Sequence, residues 1–309
     1  MPPANHERGE RDERVEDRRH HRRERRDRGC RSAPLHGDGH TVVVVGRSPD
    51  KTRAVAAELG VESHVADFTR LDDVERLAGD LLAAHDRIDV LANNAGGVWG
   101  RRTVTADGFE KMFQVNHLAP FLLTNLLLDT LVASRASVLQ TSSTVRFAGT
   151  LDLDDLGHEH GYEPARVYGV TKLANILFTT ELHRRCHAAG LSTASFYPGN
   201  VLTSFASDTT NPAMRAVRFL GTRTPFGRLL LSTPEQGADQ IVWLAEGTPG
   251  KDWQSGAYYY KRRAAAPSPA SGRRRPRPPV LGPFGGAARG SPRTPPLTGT
   301  EACPRQPDR

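Results

Sequence analysis

The amino-acid sequence predicts an α/β fold built on a doubly wound parallel sheet, and two observations carry that expectation. Between residues 39 and 262, short β-branched runs alternate with amphipathic helical stretches. Small polar or glycine-containing turns follow several of those runs, at strand ends where such sheets bind ligands.

The elements follow in order. Thr41 to Val45 is a continuous β-branched run between Gly39 and Gly46, as suits a strand buried on both faces. Pro49 to Leu59 reads as a helix, with Ser48 at the N-cap and Pro49 in the first turn. Val61 to Ala66 is a second strand. Leu71, Val74, Leu77, Leu81 and Leu82 then make a helical stripe over Leu71 to Ala84. Ile88 to Ala92 is a third strand. A long helix from Gly108 to Leu131, broken or bent near Pro120, leads into a strand from Ser137 to Thr141. Tyr168 to Ala189 is another helix and Leu191 to Tyr197 another strand. Thr233-Pro-Glu-Gln236 forms a capping box that opens a helix through Leu244.

The chain has 309 residues, of which 37% are hydrophobic, and its charge is uneven. Residues 1–31 hold eleven Arg and eight acidic residues, and residues 261–309 hold eleven Lys and Arg, two acidic residues and eleven of the 22 prolines. That leaves 20 basic and 25 acidic residues in the middle, so the formal charge of +7 belongs to the ends. A nucleic-acid groove across the central region is disfavoured. Three regions are expected: a basic N-terminal segment 1–38, an α/β domain 39–262, and a Pro/Arg-rich tail 263–309 without enough apolar residues to offset ordering entropy. Cys30, Cys186 and Cys303 are too few and scattered for a disulfide framework or a zinc site, so no metal is expected. The apolar stretch Phe121 to Val132 is too short and too interrupted to span a bilayer, and a charged start lacks a signal-peptide core. A cytoplasmic protein is the expectation.

Tyr168-Gly-Val-Thr-Lys172 places a phenol and an ammonium one helical turn apart on one face. A phenol holds its proton until about pH 10. A fixed positive neighbour favours phenolate, which makes such a tyrosine usable as a general acid and base. Alone, the spacing is common on solvated helix faces. Asn93-Asn94-Ala95-Gly96 after a strand, Ser142 and Ser143 after another, Pro198-Gly199 after a third, and Asn116 on the intervening helix make it harder to dismiss.

On these residues the chain resembles the short-chain dehydrogenase/reductase family, in its retinol-dehydrogenase-like branch, from about Gly39 to Arg262. The resemblance includes Val115-Asn-His117 and the Leu173 to Phe178 run after Lys172. It implies a Rossmann-like fold and an NAD(P)-dependent oxidoreductase that interconverts an alcohol and a carbonyl by hydride transfer. By resemblance, Tyr168 exchanges a proton with the substrate oxygen. Lys172 holds the ribose and lowers the tyrosine pKa. Ser143, ahead of Ser142, bonds the substrate carbonyl, and Asn116 anchors a water that relays protons to Lys172. Asn93, Ala95 and Gly96 would line the adenosine side, Asp67 and Phe68 would flank the adenine, and Pro198, Gly199, Val201 and Thr203 would meet the nicotinamide.

Charge bears on the cofactor. The run Val42 to Val45 ends in Gly46-Arg47-Ser48 rather than in an acidic residue, and a guanidinium beside a hydroxyl suits a 2′-phosphate. NADP is therefore expected ahead of NAD, with a solvated loop charge as the other reading of Arg47. The substrate is expected to be a small, apolar alcohol or carbonyl. Phe205, Met214, Phe219, Phe226 and Leu229 to Leu231 fit either an apolar pocket or ordinary lid packing. A homo-oligomer stays open.

The resemblance breaks at the start. A first strand and glycine-rich loop should lie about 20 residues before the second strand, where the chain reads His21-Arg-Arg-Glu-Arg-Arg-Asp-Arg28. The first strand and loop are expected to be lost or out of frame. Back-translating Asp17 to Cys30 with permitted codons, shifted by one nucleotide, can yield Thr-Ala-Val-Ile-Thr-Gly-Ala-Ser-Gly-Gly-Ile-Gly-Gly-Ala. The same operation on Gly272 to Arg289 can yield an amphipathic helix. Cofactor binding by the chain as printed is then expected to be impaired, and a catalytically silent binding protein is the alternative reading.

Overall fold

The computed structural model describes residues 40–144, 151–199 and 234–266, together with Leu35. Two parallel sheet portions carry helices on both faces, an α/β arrangement. The first portion pairs β1 (Val43–Gly46) with β2 (Glu62–Val65), and α1 (Pro49–Leu59) connects them. The second portion runs β3 (Val90–Asn93), β4 (Ser137–Thr141), β5 (Ser192–Tyr197), β6 (Ala257–Tyr260) and β7 (Arg263–Ala264). All its pairs are parallel except β6 with β7. One helical layer supports both portions. Val74, Leu77, Ala78 and Leu81 of α2 (Leu71–Ala84) share a core with Val43 of β1, Leu91 of β3 and Val138 of β4. On the other face, Ile241 and Leu244 of α7 (Pro234–Glu246) pack on Leu139, Ala194 and Phe196.

Among the described residues no strand joins β1 to β3. The apolar runs on either side of that break are correspondingly half open: Val45 is 39% exposed, and Ala92 is exposed. β4, with a neighbour on each side, is buried along its whole length. The first strand that the sequence reading expects to be lost precedes β1, where residues 1–34 and 36–39 lie outside the described residues.

Several elements differ from the sequence reading, each for a local reason. The helix expected from Gly108 to Leu131 is three helices and a turn of π-helix: α3 (Lys111–Phe113), the π turn Gln114–Leu118, α4 (Ala119–Leu126) and α5 (Leu128–Ala133). Pro120 lacks an amide and its ring crowds the carbonyl four residues earlier, which is that of Asn116, so the turn before it widens. The second break falls at Leu127, with φ −93° and ψ 0°, and not at the proline. The helix bearing Tyr168 begins four residues sooner than expected, as α6 (Pro164–Cys186). Glu163 caps it by accepting from the amides of Ala165 and Arg166, and Pro164 occupies the first turn. Ser48 precedes α1 but makes no side-chain cap.

The strands β6 and β7 were not anticipated. Their two-residue connection places Lys261 at φ 51° and Arg262 at φ 59°, a hairpin conformation normally signalled by Asn or Gly. Gly46 ends β1 where a Cβ would overlap the Thr52 hydroxyl of α1, so only glycine lets this helix start so close to the strand. Thr233 of the capping box lies outside the described residues.

Amides of 43–46 and 90–93 should exchange with deuterium well before those of 137–141 and 192–197, because β1 and β3 each have one unpaired edge among the described residues. Equal protection of all four strands, read by mass spectrometry, would show a strand seated between β1 and β3.

Candidate active site

The carboxyl ends of β3 and β4 and one face of α6 meet at a single place. Lys172 is among the most deeply buried side chains, at 2% exposure, and its Nζ donates to the Thr141 carbonyl at 3.0 Å. A buried ammonium needs such acceptors, because desolvation alone would expel its charge. The same Nζ lies 5.7 Å from the centre of the Tyr168 ring, one turn earlier on α6. The Tyr168 phenol is hydrogen-bonded to the Ser143 side chain. Ser142 points elsewhere: it is buried and its Oγ donates to the Lys172 carbonyl at 2.7 Å, so it fastens β4 to α6.

Asn116 sits in the π turn, fully buried. Its Oδ1 accepts from the Gly97 amide at 2.8 Å, and its Nδ2 donates to the Gly97 carbonyl at 2.9 Å and to Thr171 Oγ1 at 3.2 Å. Gly96 passes over this group so closely that a Cβ would lie 3.0 Å from Asn116 Oδ1 and 3.3 Å from Lys172 Nζ. The backbone of Ala95 and Gly96 is exposed above it. Asn93 contributes differently: it is buried, and its Nδ2 donates to Thr124 Oγ1 at 2.9 Å, which holds β3 to α4.

The remaining sequence-predicted positions lie at other strand ends. Arg47 is exposed and Ser48 half-buried just after β1. Asp67 follows β2, where its Oδ1 accepts from the Thr69 amide at 3.0 Å. Phe68 packs on the main core, and its carbonyl accepts from Gln114 Nε2 at 3.2 Å. Pro198 and Gly199 follow β5, half-buried. Val201 and Thr203, with Phe205 to Leu231, lie outside the described residues, as do Cys30 and Cys303. Cys186 is buried in the main core.

A phenol bonded to a strand-end serine, beside a buried lysine and a glycine turn, is what the short chain dehydrogenase family builds, and the family's sequence profile matches residues 32–213. The chain belongs to the short-chain dehydrogenase family. It is 40% identical over 241 residues to a Streptomyces sp. (strain C5) protein named as a daunorubicin C-13 ketoreductase, DnrU, covering 76% of this chain and 78% of that one. Human retinol dehydrogenase 13 is 34% identical over 241 residues, covering 75% and 72%. These relatives place the chain in the retinol-dehydrogenase-like branch of this oxidoreductase family. Among solved structures, an uncharacterized protein from Mycobacterium paratuberculosis is similar at a TM-score of 0.56 and 30% identity, over 74% of each chain. Pseudomonas aeruginosa RhlG, solved with NADP, shares the fold at a TM-score of 0.57 and 24% identity, over 74% of this chain and 87% of that one. No described helix of this short-chain dehydrogenase is long and apolar enough to cross a membrane.

One electrostatic expectation is corrected. The sequence spacing suggested that Lys172 holds the Tyr168 phenol below its ordinary value. In the structure, burial pushes this phenol well above the usual range, the hydrogen bond from Ser143 pulls it back, and the nearby Tyr197 and Tyr258 push it further up. The ammonium donates to the Thr141 carbonyl.

Sequence reasoning missed three contributors. Tyr258 donates to the Ser143 carbonyl at 2.9 Å, holding the serine loop from β6. Asn175 Nδ2 donates to the carbonyls of Asn116 at 3.0 Å and Thr141 at 3.3 Å. His117 Nδ1 meets Asn175 Oδ1 at 2.9 Å. Only the tyrosine run 258–260 and the Asn-His and Leu-Ala-Asn strings hinted at them, and none carries a mechanism without its spatial neighbours.

His117 is packed among Phe113, Phe121 and Phe178, with ring centroids 5.4, 6.1 and 6.3 Å away. Burial lowers its pKa from 6.5 to about 4, against the hydrogen bond to Asn175. Between those pH values the unfolded chain binds a proton that the folded protein refuses. The stability this group supports is complete above pH 6.5 and declines as the pH falls toward 4. Urea unfolding of His117→Phe should therefore show a smaller drop from pH 7 to pH 4.5 than the parent; identical drops would place the titration elsewhere.

Proposed function

We propose that this chain is an NADP(H)-preferring oxidoreductase that interconverts an apolar alcohol and its carbonyl, with Tyr168 as general acid and base. The observation that carries the reading is the Tyr168–Ser143 hydrogen bond formed beside the buried Lys172 ammonium, at the carboxyl end of β4. Two hydroxyls within hydrogen-bonding distance of each other can share one substrate oxygen, and that oxygen is where charge develops as a carbonyl is reduced.

Ser143 donates to the substrate carbonyl and polarises it. Tyr168 delivers its proton to the same oxygen, or removes it in the oxidative direction. A phenol held protonated by burial is a competent donor for reduction. Ser143, whose hydrogen bond is what pulls this phenol's pKa back down, stabilises the phenolate left behind, and Lys172, fixed by Thr141, stands 5.7 Å from the ring centre. Asn116, locked on both sides of Gly97, keeps the glycine turn in place and would hold the water through which Lys172 recovers a proton.

The donor set fits a nicotinamide dinucleotide at the ribose and adenosine ends. Gly96 offers exposed backbone where a Cβ would crowd Asn116 Oδ1 and Lys172 Nζ, exposed Ala95 precedes it, and Arg47 with Ser48 presents a guanidinium and a hydroxyl for a 2′-phosphate. When bound, NADP(H) supplies or accepts the hydride. A carboxylate at the end of β1, the usual partner of an unphosphorylated ribose, is replaced here by Arg47, which is why NADP is preferred to NAD.

The pyrophosphate end is weaker. Residues 21–28 offer no glycine loop, so the chain as printed should hold NADPH loosely, and a chain carrying the shifted-frame peptide should hold it tightly. The silent-binding alternative is favoured only by this defect.

Tyr168→Phe should reduce turnover of an apolar ketone with NADPH by 10²-fold or more while leaving the fold intact. Loss of less than tenfold would remove Tyr168 from the reaction. Arg47→Asp should raise the KM for NADPH at least tenfold and lower that for NADH; an unchanged ratio would show Arg47 to be a solvated loop charge.

A further inference from the structure

We propose that Asn175, oriented by His117, is a positioning residue that locks the Asn116 turn and the Lys172 ammonium to one carbonyl. This inference rests on the reading of Lys172 and Asn116 as working groups of the site, and it assigns a task to two residues outside that machinery.

The need for such a residue begins with Pro120. In an ordinary helix the Asn116 carbonyl would receive the amide of residue 120, and proline has none. The carbonyl is left in a buried turn, where an unpaired acceptor is unfavourable. Asn175 supplies the missing donor. It lies one turn beyond Lys172 on α6, hence on the same face. Its Nδ2 spends one hydrogen on Asn116 at 3.0 Å and the other on Thr141 at 3.3 Å. The Thr141 carbonyl also receives Lys172 Nζ at 3.0 Å. One strand-end oxygen thus fixes the lysine and, through Asn175, the π turn that carries Asn116.

This arrangement works in only one amide orientation. With two carbonyls on the nitrogen side, Asn175 Oδ1 must face His117 Nδ1, and an oxygen there accepts only if Nδ1 carries the proton. Packing among three phenylalanines favours the neutral ring, and the bond to Asn175 then selects its Nδ1–H tautomer. Asp at 175 would set a carboxylate against two carbonyls, so the pair tolerates donors and rejects acceptors.

The test combines a structural and a kinetic arm on the full chain. The Gly97 amide donates to Asn116 Oδ1 and reports on the lock directly. In Asn175→Ala and His117→Leu its hydrogen exchange should accelerate at least tenfold, with β4 and β5 amides unchanged. In His117→Gln, whose side-chain amide can still donate, it should stay within threefold of the parent. Unchanged Gly97 exchange in Asn175→Ala overturns the proposal whether or not the chain turns over substrate. In the kinetic arm, the two disruptive variants should lose tenfold or more in kcat with less than threefold change in the KM for NADPH, and His117→Gln should recover most of it. A loss confined to KM, or equal loss in His117→Gln and His117→Leu, also overturns it. An inactive parent with accelerated Gly97 exchange in the variants would fault the functional reading and leave the positioning role supported.

Discussion

The carbonyl oxygen of Thr141 is the point on which the site is built. It sits at the end of the strand buried along its whole length, where Thr141 pairs with Phe196 of β5 one residue beyond the last pair with β3. A lysine at 2% exposure needs acceptors, and that oxygen is one of them. The Gly96 turn passes close to that lysine and to Asn116, and the Tyr168 ring lies one helical turn away. The ammonium and, through Asn175, the turn that carries Asn116 are therefore held by one acceptor at the end of a sheet strand.

That anchor belongs to the five-stranded portion alone. The two sheet portions share the helical core around Leu77, Leu123 and Leu131, which keeps them together although no described strand pairs between them. Tyr168, Ser143 and Lys172 gather against the five-stranded portion, and Arg47 with Ser48 follows β1 in the other.

Much of this was legible in the chain. The β-branched run before Gly46, the apolar stripe of 71–84 and the Tyr-x-x-x-Lys spacing each report a local periodicity, and local periodicity survives without knowledge of neighbours. The glycine turn after β3 could be read because its position at a strand end is itself a topological statement. Less legible were Tyr258, Asn175 and His117, whose roles exist only through partners 34 to 115 residues away. The proline at 120 was read as a bend, and its actual consequence was a widened turn with a carbonyl in need of a donor.

The sequence by itself determined the parallel α/β class, the helix faces and the residue types of the site, because these follow from spacing along one chain. It also showed the absence of a glycine loop ahead of β1. Only the tertiary structure decided which serine faces the phenol and which one pins a helix, and which way the tyrosine pKa moves. Those outcomes depend on burial and on hydrogen-bond partners from distant segments. No pattern along the chain encodes them, since a hydroxyl or an amide acquires its role from whichever group the fold brings within three ångströms or so of it.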